Sequence, residues 1–496
     1  MTMCSMHKPF VLGRAGCALA LAVAGAVLPA AASAASAEPM ACRLRGIEHE
    51  ALCGSVLRPL DAARPAATQI SVHYAVLPAL ARNKRPDPVF FFAGGPGQSA
   101  VEIAPQVAAM LARFANRRDI VLIDQRGTGR SAPLNCEAED PALPLVELFA
   151  PERQRERIAA CLAQLKTLPY GDLRFFTTTL AMQDADAVRA ALGAERINIL
   201  GGSYGTRDVL EYLRQFPQRV RRAVIDGVAP PDMVLPASFS TDNQAALDQL
   251  FNACEADKDC NAREPRLRER WRALLASLPR TVELRHPLTD RSERLPLTRD
   301  VLLGMVRAPL YAPAHAAALP SAIGQAANGR FEALSALAQS VGGRRSLQVA
   351  AGMHFSVVCA EDFPRLAQSA DRPGADFGDS FSALYRDVCA NWPRGDVPAG
   401  FYTLPPAPAA TLVLSGGLDP VTPPRHGARV AAALGVKARH VVVANAGHGV
   451  MALGCMRDVL YRFVEAASDD EALRTDASCV TGIPRPPMFA LPGAAP

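Results

Sequence analysis

Residues 201–205, Gly201-Gly202-Ser203-Tyr204-Gly205, set a serine between glycines two positions away on either side. This G-x-S-x-G spacing suits a sharp strand-to-helix turn, because small neighbours let the chain reverse while the serine hydroxyl stands above a sheet. A serine hydroxyl is a weak nucleophile until a base takes its proton. The expected base is a histidine held by an acid, in the chain order Ser, Asp or Glu, His. Three histidines fall near the last predicted strands: His426, His440 and His448. His448 lies in Ala446-Gly447-His448-Gly449, just past the predicted strand 440–443, and its glycine flanks let a loop carry the imidazole over the serine. His440 begins that strand at its amino end, the wrong edge of the sheet, and His426 lies in a proline-rich stretch. The expected acid is Asp419, in Gly416-Gly417-Leu418-Asp419-Pro420, which would hold the histidine tautomer and stabilise the imidazolium. Asp226 also follows a strand and is its rival. The backbone N–H groups of Tyr204 and of Gly95, in Gly94-Gly95-Pro96-Gly97, are the expected donors to an oxyanion. Such a set transfers an acyl group, from an amide or an ester, to water.

These residues need a scaffold. Short β-branched runs at 88–92, 119–123, 196–200 and 411–414 each lead into one of the loops just described or into Asp124-Gln125-Arg126-Gly127, and 222–225 and 440–443 look similar. Helical stretches separate them, which predicts an α/β fold with a mostly parallel sheet flanked by helices. In open α/β sheets the ligand lies beyond the carboxyl ends of the strands, where all these loops fall. From 230 to 408 helix-like stretches dominate (242–254, 266–278, 299–310, 315–327 and 331–340), predicting an inserted, mainly helical lid; 404–410, with three prolines, is its return linker. The hydrolase core is then 38–229 together with 409–496, the latter carrying a carboxyl-terminal extension.

Residues 1–37 have the layout of a secretory signal peptide: basic residues, an Ala-rich apolar run, then Ala32-Ser33-Ala34 and Ala35-Ser36-Ala37. No stable membrane anchor is expected after its cleavage, and the protein is expected to be secreted or periplasmic. Of twelve cysteines, Cys4 and Cys17 leave with that segment. Cys42, Cys53, Cys136, Cys161, Cys254, Cys260, Cys359, Cys389, Cys455 and Cys479 remain, an even number suited to disulfides. Pairing of sequence neighbours is the simplest connectivity, though sequence alone leaves it open. With no C-x-x-C and no H-E-x-x-H, neither a metal nor a cofactor is expected. The net charge of +5 comes without Lys/Arg runs, which gives no case for a nucleic-acid partner. Gly127-Thr128-Gly129-Arg130-Ser131-Ala132 satisfies a dinucleotide pattern, but Pro133 argues against the helix that such a site requires.

Taken in order, Gly94-Gly95-Pro96-Gly97, Asp124-Gln125-Arg126-Gly127-Thr128-Gly129-Arg130-Ser131, Gly201-Gly202-Ser203-Tyr204-Gly205, Ser415 to Asp419 and Gly447-His448-Gly449 resemble the proline iminopeptidase/tripeptidyl aminopeptidase family of α/β-hydrolases, its secreted branch above all. Ala93 departs from the family, whose cytoplasmic iminopeptidases often carry histidine there, and this weakens transfer of strict prolyl specificity. The resemblance implies a peptide substrate with a free N-terminus, from which residues or tripeptides are released. An exported carboxylesterase with the same triad is the alternative, and a catalytically silent binding module is the reading from another class. An aminopeptidase must recognise a compact α-ammonium, which calls for fixed carboxylates in the cleft. Glu361 and Asp362, beside Cys359, are the expected pair; ordinary solvated acids at a helix end are the plainer alternative.

Overall fold

The computed structural model describes residues 38–342 and 349–489, so the predicted signal peptide lies outside the described residues. The sheet strands are β1 (Met40–Cys42), β2 (Ala51–Pro59), β3 (Gln69–Leu77), β4 (Val89–Phe92), β5 (Ile120–Ile123), β6 (Ile197–Gly202), β7 (Val220–Asp226), β10 (Thr411–Gly416) and β11 (Ala438–Val443), with β8 (Arg280–Arg285) and β9 (Ser292–Leu297) forming a separate hairpin. The main sheet runs in the order β1-β2-β3-β5-β4-β6-β7-β10-β11. From β5 to β11 every neighbouring pair is parallel; β1, β2 and β3 add antiparallel strands on one side.

The parallel strands are apolar because helices cover both faces. Every residue of β4 and of β5 is buried. Side chains alternate across the sheet. Phe90 and Phe92 therefore join one core with Met182, Val209 and Tyr212, while Phe91 joins the opposite core with Val107, Leu460 and Phe463. The six strands predicted from sequence are all present. Of the three antiparallel strands, β1 and β2 expose part of their length and their polar positions hid them, while β3 carries a buried apolar run, Tyr74 to Leu77, that was not singled out.

Between β7 and β10 the chain leaves the sheet. Its first part, including the helices Ala237–Ala256, Leu267–Ala276, Arg299–Leu310 and Leu319–Ala327, closes on a core of its own around Leu247, Phe251, Trp271, Leu302 and Phe331. The β8–β9 hairpin also belongs here, so this part is not purely helical. The second part behaves differently. Met353, Phe355, Val357, Cys359, Val388, Cys389 and Trp392 pack into the core of the sheet itself. Five disulfides join Cys42–Cys53, Cys136–Cys161, Cys254–Cys260, Cys359–Cys389 and Cys455–Cys479, each between sequence neighbours.

Candidate active site

Ser203 follows β6 and precedes the helix Gly205–Gln215, and its φ of 56° lies in the left-handed region. A non-glycine residue held there stores about 1–3 kcal/mol and persists only where its surroundings enforce it. The enforcement is steric. A Cβ at Gly201 would collide with the Gly205 carbonyl, and one at Gly205 would collide with the Phe92 carbonyl, so the strand and the helix can close on each other only through glycine. Ser203 N–H donates to the Asp226 carbonyl at 2.8 Å, which ties the turn to the end of β7.

His448 stands on the loop after β11. Its Nδ1 lies 2.8 Å from Asp419 Oδ2, and its backbone N–H donates to the Tyr311 carbonyl at 3.1 Å. The Tyr311 ring meets the imidazole edge-on at 5.4 Å. A Cβ at Gly227, the residue after Asp226, would stand 3.2 Å from His448 Cε1. Ser203 is thus tied to Asp226 and His448 lies against Gly227, two adjacent residues at the end of β7.

Asp419 is fully buried and well supplied with donors. The N–H groups of Val421 and Thr422 each reach Oδ1 at 2.9 Å, and Thr422 Oγ1 donates to Oδ2 at 2.7 Å. Burial works to raise its pKa, but the His448 imidazole and these donors outweigh it and hold the carboxyl below its ordinary value. For His448, burial works against the imidazolium, yet the Asp419 carboxylate and its hydrogen bond prevail and raise the pKa.

The rivals are engaged elsewhere. Asp226 Oδ2 accepts from the N–H groups of Val450 and Met451 at 2.7 and 2.8 Å, and burial raises its pKa to about 6. His440 Nε2 meets Ser415 Oγ at 3.0 Å, and buried His426 meets Asp242 at 2.9 Å. Gly95, at φ 116°, lies in a loop that touches the serine, since a Cβ at the preceding Gly94 would stand 3.2 Å from Ser203 Cβ. Tyr204 N–H opens the helix Gly205–Gln215, where the first N–H groups have no acceptor within the helix. The dinucleotide-like run 127–132 makes a tight turn in which Gly127 N–H donates to the Ser131 carbonyl and Arg130 N–H to Asp124; no helix starts there.

Glu361 and Asp362, expected to meet a substrate amine, face other protein groups rather than open space. Both are buried, at 1% and 0% exposure. Asp362 takes Arg207 in a two-pronged contact at 2.9 and 3.0 Å, and Arg207 also reaches Glu361 at 3.3 Å. Glu361 further accepts from Thr178 N–H at 2.7 Å and Thr178 Oγ1 at 2.9 Å, capping the helix Thr178–Ala191. The physical reason is charge: a buried arginine on the helix behind Ser203 needs carboxylates, and these two supply them. Sequence reasoning did not single out Arg207. Its place four residues after the serine, on a helix with both faces covered, was the available sign.

Among the described residues no helix is long and apolar enough to cross a membrane, and no cluster of His, Cys, Asp and Glu could hold a metal ion.

A family model described as the alpha/beta hydrolase fold matches residues 87–293, and one described as TAP-like protein matches 375–479. The chain is 26% identical over 423 residues to serine protease Hip1 of Mycobacterium tuberculosis, covering 77% of this chain and 78% of that protein. It is 34% identical over 192 residues to tripeptidyl aminopeptidase of Streptomyces coelicolor, 36% of this chain and 35% of that one. With proline iminopeptidase of Neisseria meningitidis it shares 30% over 141 residues, 28% of this chain and 32% of that one. With its parallel sheet, its serine turn and these relatives, the chain has the α/β-hydrolase fold and is a serine hydrolase similar to the proline iminopeptidases and tripeptidyl aminopeptidases.

Proposed function

We propose that this protein is an exported serine aminopeptidase that releases residues or tripeptides from free peptide N-termini through an acyl-enzyme on Ser203. The observation that carries the reading is the strained Ser203 turn sharing the end of β7 with a histidine that is hydrogen-bonded to a buried aspartate. The names of the relatives support amino-terminal peptidase action, and five disulfides together with the predicted signal peptide support export.

In this mechanism His448 Nδ1–H donates to Asp419, leaving Nε2 as the base. Nε2 takes the Ser203 proton as Oγ bonds to the scissile carbonyl carbon, whose oxygen becomes an oxyanion received by the N–H groups of Gly95 and Tyr204. The imidazolium so formed is stabilised by Asp419. It then returns its proton to the leaving amine nitrogen as the C–N bond breaks. Water repeats the sequence on the ester: His448 takes its proton, hydroxide oxygen bonds to the carbonyl carbon, and Ser203 leaves as the alcohol.

The test is a panel of aminoacyl- and tripeptidyl-anilides, their N-acetylated counterparts and simple acyl esters, run on mature protein. Turnover of free-amine anilides well above the acetylated ones supports the reading. Turnover of esters alone would replace it with an esterase.

A further inference from the structure

Loop 94–97, which lies on Ser203, is three glycines and a proline and has almost no side chain with which to hold its own shape. The segment leading into the helix Ala351–Val357 braces it from outside. Ala350 N–H donates to the Gly97 carbonyl at 2.8 Å, and a Cβ at Gly97 would stand 2.7 Å from the Ala350 carbonyl oxygen, so the two backbones touch. One turn further, His354 hydrogen-bonds to the Pro96 carbonyl, and its Nε2 lies 2.7 Å from the Tyr385 hydroxyl.

A carbonyl only accepts, so the His354 ring nitrogen that faces Pro96 carries a proton. Burial brings the His354 pKa down to about 4, against the Pro96 bond and with help from the Arg307 charge, while burial raises Tyr385 to about 12. Burial thus favours the neutral form of both side chains. Tyr385 sits on the helix Ser380–Asn391, one turn before Cys389. Cys389 is bonded to Cys359 in the turn Val358–Asp362, which continues the His354 helix. The disulfide joins the two elements that carry the pair.

We propose that His354, oriented by Tyr385, is a positioning residue for the oxyanion loop: it fixes the Pro96 carbonyl and with it the neighbouring Gly95 N–H, and the Cys359–Cys389 disulfide sets the spacing of the pair. This rests on the serine-hydrolase mechanism assigned to Ser203.

The experiment measures Tyr385→Phe, His354→Gln, His354→Ala and the double substitution Cys359→Ser with Cys389→Ser. The readouts are kcat and KM on the best anilide and the rate of covalent labelling by a fluorophosphonate, whose phosphoryl oxygen uses the same donors. The expected result is a kcat lower by about 10- to 100-fold with KM within about twofold, below the loss on removing a donor outright. Labelling slows in parallel. His354→Gln, which keeps an N–H for Pro96, retains more activity than His354→Ala. Unchanged kcat in Tyr385→Phe and His354→Ala would overturn the proposal, as would a loss confined to KM. Should His354→Ala not fold, Tyr385→Phe, which removes one hydroxyl, decides. A wild-type protein that hydrolyses nothing and resists the probe would sink the Ser203 mechanism instead, a result distinct from labelled, active variants with normal kcat.

Discussion

The carboxylate of Asp226 accepts the backbone N–H of Met451 at 2.8 Å, while the carbonyl of the same aspartate accepts from Ser203. One residue at the end of β7 therefore holds both the serine turn and the loop that follows His448. Burial raises its carboxyl from 3.8 to about 6. The unfolded chain ionises this group first, so between those two values the folded state binds more protons. Stability from this group is full below the unfolded value and is lost as pH rises through about 6, a change of about 3 kcal/mol. Asp226→Asn keeps an acceptor for the loop and removes the titration. Its Tm relative to wild type should rise between pH 4 and pH 7.5, by thermal melts at both; a constant difference would contradict the account.

Ser203 is expected to be the acyl-accepting residue. Ser203→Ala should lose fluorophosphonate labelling and lower kcat by several orders of magnitude with the fold intact. Ser203→Gly should be equally inactive but more stable by about 1 kcal/mol, because glycine adopts a φ of 56° without strain. Calorimetry on the two variants separates the chemical role from the backbone cost. An active Ser203→Ala enzyme would remove the mechanism.

Asp419 raises the pKa of His448, and this has a direction in kinetics. The acidic limb of kcat/KM follows protonation of the free base. In Asp419→Asn the carboxylate charge is gone, so that limb should move to lower pH while the plateau falls by about three to four orders of magnitude. A pH–rate profile measures both. A limb that stayed in place would mean that another group titrates.

The Arg207–Glu361–Asp362 cluster makes a prediction opposite to amine recognition. Glu361→Gln should lower activity on free-amine peptides and on small acyl esters by similar factors, because its contacts are to Arg207 and Thr178. Arg207→Met should destabilise by about 3–5 kcal/mol, since it leaves two buried carboxylates without their cation. Parallel kinetics and urea unfolding test the two statements. A KM rise limited to free-amine substrates in Glu361→Gln would return the pair to the substrate.

Non-reducing peptide mapping of the mature protein should recover the five neighbouring cysteine pairs and no free thiol. Replacing Cys455 and Cys479 by serine should cost about 2–4 kcal/mol in stability, read by thermal melts.

The parallel half of the sheet was legible in the amino-acid sequence because a strand buried on both faces must be apolar at every position, as at Phe90, Phe91 and Phe92, and because glycine must stand where backbones collide, as at Gly201 and Gly205. The antiparallel strands β1 and β2 were hidden by their exposed positions, for which periodicity gives little signal. Side-chain partnerships across the chain were not legible at all. Glu361 and Asp362 read as two acids beside a cysteine, and their burial depends on Arg207, 154 and 155 positions away. Asp226 read as a rival acid, and its task depends on Val450 and Met451, 224 and 225 positions on. Local pattern determines which segments are strands and where the chain must turn. Which charge faces which is decided when the inserted segment folds back on the sheet, because a buried carboxylate takes whatever donor the packing brings within reach.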